Sequence, residues 1–285
     1  MMHPPQLFFP IIYAMFIWWF TTGLIIVVYG RSDHLQRLGF LGATLALLVA
    51  FMGLLAVRDM TSVRAAYVSV TCGIVIWGWQ VAGYYMGFIT GIAHDDDLLY
   101  RERSLPRRFV LALRSSIYHE LMAVGFIILL LAATWQSPNQ WGVWMYIALW
   151  TMHVSAKLNV FFGVRNFRID FLPRHLHHLE QLAAKRKTNV FFPFAVVFST
   201  SVVGMLIYQA IVPTATATET AGLLLISTMV TLGIVEHWLL VLPLPAILWG
   251  WGIRSMPESP PTSETTVPKS IEPIVREKSI TKVSQ

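Results

Sequence analysis

The chain has 285 residues, 55% of them hydrophobic and 13% charged, with a mean hydropathy of +0.60. A soluble domain carries about a quarter charged residues, so water is excluded as its main solvent. The net charge of +6 does not indicate a nucleic-acid partner, because the basic residues fall in short segments between apolar runs, and the single cysteine, Cys72, excludes an intramolecular disulfide or a CxxC site.

A bilayer core of about 30 Å needs around 20 helical residues, and seven runs meet that length. In chain order they are 7–29, 38–57, 65–93, 109–134, 141–163, 190–212 and 222–242. They lack period-two alternation, so the expected fold is all-α: a polytopic membrane helix bundle of about seven transmembrane helices. The first run has neither preceding basic residues nor a small-residue cleavage site, so it is expected to remain in the mature protein. Seventeen Lys and Arg residues fall on one side if the connections alternate, against only Arg58 and Arg64 on the other. The basic side is cytoplasmic, which puts the N-terminus in the periplasm and the C-terminus in the cytoplasm. Trp135, Trp141 and Trp144 flank the outer connection after the fourth run and read as interfacial anchors.

Leu242-Pro243-Leu244-Pro245 ends the last run, since two prolines remove amide donors. Residues 1–252 are expected to form the bundle and 253–285, rich in Pro, Ser, Thr and Glu, a disordered cytoplasmic tail. His175, His177 and His178 lie in an amphipathic segment ending in Lys185-Arg186-Lys187, read as an interfacial helix rather than a metal site. Asp95-Asp96-Asp97 reads as a solvated loop.

Chemistry concentrates in ionisable groups within the runs, each costing about 2.5–3.5 kcal/mol when charged at mid-helix. The fourth run carries Arg114, Tyr118, His119 and Glu120; the fifth His153, Lys157 and Asn159; the seventh Glu236 and His237; Gln80 belongs to the third. Counted from the cytoplasmic ends, the positions on the fourth, fifth and seventh runs lie within about 6–17 Å of the inner surface, a single expected polar layer. Three readings stay open: a network that fixes helix packing, a metal site, or a pocket for a polar or pigment-like ligand. Metal is disfavoured because His119-Glu120 and Glu236-His237 are adjacent pairs pointing about 100° apart, with no HExxH pattern. No phosphate-binding loop, hydrolase elbow or dinucleotide fingerprint occurs, and no catalytic residue is assigned.

Several stretches resemble one family. They are FIWWFTTGLI at 16–25, VIWGWQ at 75–80, IYHEL at 117–121, SPNQWGVW at 137–144, SAKLNVFFGVRN at 155–166, FLPRHLHHL at 171–179 and VEHWLLVLPLP at 235–245. In this order the chain resembles the photosynthetic complex assembly protein PuhE family of purple and related phototrophic bacteria. The resemblance implies a protein of the bacterial cytoplasmic membrane, inner or intracytoplasmic. It implies a role in assembling the reaction centre and light-harvesting complexes or in modulating bacteriochlorophyll supply, with complex subunits or pigment-synthesis enzymes as partners. Bacteriochlorophyll or an intermediate is then an expected ligand. His119, Glu120, Lys157, Asn159, Glu236 and His237 fall inside the resembling stretches, whereas His153 does not. The alternative is a membrane enzyme acting on a lipid-soluble bacteriochlorophyll intermediate, with Glu120 or Glu236 as general base.

Overall fold

A computed structural model describes residues 4–29, 31–92, 104–166, 184 and 186–242. Among them the structure is all-helical, with eight helices: α1 (Pro4–Val28), α2 (Asp33–Val57), α3 (Val63–Tyr85), α4 (Leu105–Ser115), α5 (Ile117–Ala133), α6 (Trp141–Phe162), α7 (Phe191–Ile211) and α8 (Ala217–Val241). The expected interfacial helix around His175, the acidic loop at Asp95 and the tail from 253 lie outside the described residues.

Five helices, α1, α2, α3, α7 and α8, are long and apolar enough to cross a bilayer, and α4 with α5 makes a sixth if the bent pair is one span. α6 has the length, but His153, Lys157, Asn159 and its Trp and Tyr residues dilute its apolar character. The outward faces of α1, α2 and α7 expose Phe8, Phe16, Leu41, Leu45, Leu48, Phe194 and Phe198. Such faces suit hydrocarbon as solvent, and the build is that of a multi-pass membrane protein.

α3 is the centre of the bundle, packed against α2, α6 and α8. Ala14, Val70, Ile74, Met145, Leu225 and Met229 join it to α1, α6 and α8. Ala50, Leu54, Ile76, Leu130 and Tyr146 join it to α2, α5 and α6. The approach to α6 is backbone to backbone. A Cβ on Gly73 would run into the Gly142 carbonyl, one on Gly142 into the Ser69 carbonyl, and the Gly142 N–H donates to Ser69 Oγ at 2.9 Å. Small residues permit such packing where no hydrophobic effect drives helices together in lipid.

Two sequence expectations need correction. The third run is not helical to residue 93: α3 ends at Tyr85, Gly87 takes φ 81°, and the Phe88 and Ile89 amides both fold back onto Gly83 O at 2.9 and 3.0 Å. Glycine tolerates that left-handed turn, which closes the helix end. The fourth run is not one rod either, because α4 and α5 meet at Ser116 with a 66° bend. Ser115 Oγ donates to Ala112 O at 2.7 Å, and residues 90–92 strap the corner. Ile92 N donates to Arg114 O at 3.0 Å, and His119 N donates to Thr90 O at 3.1 Å rather than to the carbonyl four residues back. At the start of α6, Trp141 is half-buried with its ring against Gly222 of α8, while Trp135 and Trp144 are exposed.

Candidate functional site

On α6, Tyr146, Trp150, His153 and Lys157 follow i, i+4, i+7, i+11 spacing, so they share one stripe. On α3, Trp77, Gln80 and Tyr84 do the same over two turns. The first turn of α5 presents His119 and Glu120 to both stripes. The strap at Thr90 and the bend at Ser116 set that turn in place.

Glu120 is bound at both oxygens. Lys157 Nζ lies 2.7 Å from Oε1, and Trp150 Nε1 donates to Oε2 at 3.2 Å. The same ammonium sits 4.5 Å from the centre of the Tyr84 ring, a cation–π contact that strengthens where water is scarce. The pair keeps limited access to the outside: the side chains are 27% (Lys157) and 17% (Glu120) exposed.

Beside it lie two imidazoles. His119 is fully buried, with ring centroids of His153 at 5.4 Å, Tyr84 at 4.7 Å and Trp77 at 6.0 Å. Both ring nitrogens of His119, and Nε2 of His153, are buried without a hydrogen-bond partner among the described residues. An unsatisfied buried polar atom costs about 1–3 kcal/mol, so this is a place where the fold retains polarity at a cost. Gln80 holds the arrangement from below: its Nε2 donates to His119 O at 2.8 Å, and Tyr146 O–H donates to its Oε1.

The expected layer therefore divides. His119, Glu120 and Lys157 come together, with Trp77, Gln80, Tyr84, Tyr146, Trp150 and His153. Arg114 does not join them, because it ends α4 before the bend and is exposed. Asn159 faces another way: it is buried, Nδ2 donates to Ser155 O at 3.0 Å, and its backbone carbonyl accepts from Asn189 Nδ2 at 3.1 Å at the α6–α7 junction. His237 pins α8 to α6. Its Nδ1 is 2.7 Å from Gly233 O and so carries the proton, leaving Nε2 to accept from Ser155 Oγ at 2.9 Å. Glu236, one residue earlier, points away from the site and is exposed. The 100° step between neighbours on a helix separates the two members of the pair.

Residues 5–260 match the family described as "Protein of unknown function (DUF3623)". The chain belongs to that family. It is also 29% identical over 265 residues to the "Uncharacterized 30.4 kDa protein in puhA 5'region" of Rhodobacter capsulatus, an alignment covering 90% of this chain and 95% of that protein. No solved structure matches.

The chemistry open to this family member follows from its donor set. Among the described residues no three His, Cys, Asp or Glu side chains lie close enough to hold a metal ion. A tetrapyrrole whose metal takes an axial imidazole needs one open face beside that imidazole. His119 and His153 are walled by Trp77 and Tyr84, and both nitrogens of His237 are engaged, so these interior histidines do not fit such a ligand. What the site offers is a partly accessible ion pair backed by unsatisfied imidazoles, suited to binding a polar group that reaches it from the bundle surface.

Proposed function

We propose that this chain is a PuhE-type factor of the bacterial cytoplasmic membrane that assists assembly of the photosynthetic reaction centre and light-harvesting complexes or modulates bacteriochlorophyll supply. It docks a complex subunit, a pigment-synthesis enzyme or the polar edge of a pigment through Glu120 and Lys157. The observation that carries the role is the relative in the puhA 5' region, aligned over nearly the full length of both chains. The partly exposed ion pair beside unpartnered imidazoles supports the means. In this reading α6 and the α4–α5 pair complete seven crossings, with the N-terminus periplasmic and the C-terminus cytoplasmic as the basic residues dictate.

Deleting the gene tests it. Photosynthetic complexes or bacteriochlorophyll, followed by the near-infrared absorption of membranes, are expected to fall; wild-type levels of both across growth conditions overturn the role.

The second reading, a membrane enzyme working on a bacteriochlorophyll intermediate, draws on the unpartnered nitrogens of His119 and His153 next to Glu120. It is weakened by Glu120 already serving as the partner of Lys157 and Trp150. A single pigment intermediate accumulating in the deletion strain favours the enzyme.

A further inference from the structure

Arg114 is a charge that the site above does not use. It lies at the end of α4, an 11-residue helix whose sequence holds three arginines and no acidic residue. Leu105, Phe109 and Leu113 recur every four residues and form one exposed stripe, bordered by the exposed Val110. Arg107 and Arg114, seven residues apart, are exposed too and follow each other along the far side of Val110. The remaining face meets the bundle: Ser115 is buried, and Arg108 stands over the ring of Phe161 of α6 at 5.7 Å, a ring that Phe109 also reaches at 5.6 Å between centroids.

The corner after α4 is fixed by its neighbours. Ile92 N donates to Arg114 O at 3.0 Å, and Gly91 lies so close that a Cβ there would run into the carbonyls of Arg114 and Ser115. α5 with its caps Ser116 and Thr134 reaches about 28 Å at about 1.5 Å per residue, so the crossing is complete without α4. A straight run would sink Arg114 into hydrocarbon; the 66° bend turns α4 toward the membrane plane instead. Among the described residues α4 packs sparsely on the bundle, and neither Arg107 nor Arg114 has an acidic partner. A helix with an apolar face edged by arginines suits the boundary between acyl chains and headgroups. Its stripe and its cations lie side by side, as chain and phosphate do in one lipid, and the guanidinium fork matches phosphate oxygens.

We propose that α4 lies in the membrane interface and binds anionic phospholipid, with Leu105, Phe109, Val110 and Leu113 against the acyl chains and Arg107 and Arg114 on the headgroup phosphates. In the orientation proposed above this interface is the cytoplasmic one, where the other basic segments fall. The site is separate from the Glu120–Lys157 pair and does not depend on the function assigned to it; the two share only the orientation in the membrane.

The full chain in nanodiscs tests it, with a bimane fluorophore on Val110→Cys, a position 52% exposed and one turn from both arginines. Cys72 is buried and stays unlabelled. Every nanodisc holds the same mixture of phosphatidylglycerol and phosphatidylcholine, and bromine, which quenches the probe on contact, is carried either by the phosphatidylglycerol chains or by an equal share of the phosphatidylcholine chains. Both lipids are expected to quench, with phosphatidylglycerol preferred about fivefold or more, the worth of one Arg at an anionic surface; this comparison needs no arginine variant. Arg107→Gln with Arg114→Gln should bring the preference close to one, and Arg31→Gln, at an exposed basic residue elsewhere, should leave it intact. Absence of quenching by either lipid overturns the proposal and assigns the stripe to a protein partner outside the bilayer. Equal quenching by the two lipids, or a preference that survives the double substitution, overturns it as well.

Discussion

Lys157 of α6 and Glu120 of α5 meet at 2.7 Å across the two helices, with the ammonium also 4.5 Å from the centre of the Tyr84 ring. The contact joins α3, α5 and α6 at one point, and α5 otherwise packs sparsely on its neighbours. Removing either partner leaves the other charged in a mostly water-free place. Lys157→Met or Glu120→Leu is therefore expected to lower stability by about 1–3 kcal/mol. The double variant should lose less than the sum of the singles, by about 0.5–3 kcal/mol. Unfolding of the purified protein by dodecyl sulfate in mixed micelles measures all four states; additive losses would mean that the pair does not couple.

The α3–α6 approach gives a second test. Gly142→Ala places a methyl group on the Ser69 carbonyl, and relief requires the helices to part. A cost of about 2 kcal/mol or more is expected, in the range of overpacked cores. Gly125 of α5 has open space where its Cβ would be, so Gly125→Ala should be neutral or stabilise by up to about 1 kcal/mol through helix propensity. The same micelle titration compares the two, and equal effects would contradict the packing described.

Much of this fold is legible in the sequence, because hydropathy over 20 residues reports directly on what the bilayer requires. The runs at 7–29, 38–57, 190–212 and 222–242 each correspond to one helix within a few residues. The bend at Ser116 was hidden, since no proline marks it and the strap from residues 90–92 comes from elsewhere in the chain. The site was half visible. Charge singled out His119, Glu120 and Lys157, but depth alone cannot distinguish faces of a helix, so Glu236, His237, Asn159 and Arg114 were grouped with residues they do not meet. Trp77, Tyr84, Tyr146 and Trp150 went unread because aromatic residues in an apolar run look like core. Their spacing with Gln80, His153 and Lys157 held the missing signal, one stripe per helix.

Orientation can be settled by thiol labelling. Cys72 is buried, so the native chain serves as an unlabelled background. Asp59, whose side chain is 71% exposed, follows α2, and His34 is exposed at its start. Asp59→Cys is expected to react with an impermeant maleimide added to the periplasmic side of intact spheroplasts, and His34→Cys only after the membrane is opened. The reverse pattern would invert the topology.

The most direct test of the site is Glu120→Gln in the native host, with protein abundance measured by immunoblot beside the near-infrared spectrum of the membranes. The substitution keeps the side chain's size and removes its charge. The account predicts a variant that accumulates to near wild-type abundance while photosynthetic complexes or bacteriochlorophyll fall toward the level of the deletion strain. Wild-type spectra at normal abundance would contradict it, and would make the Glu120–Lys157 pair a packing element only.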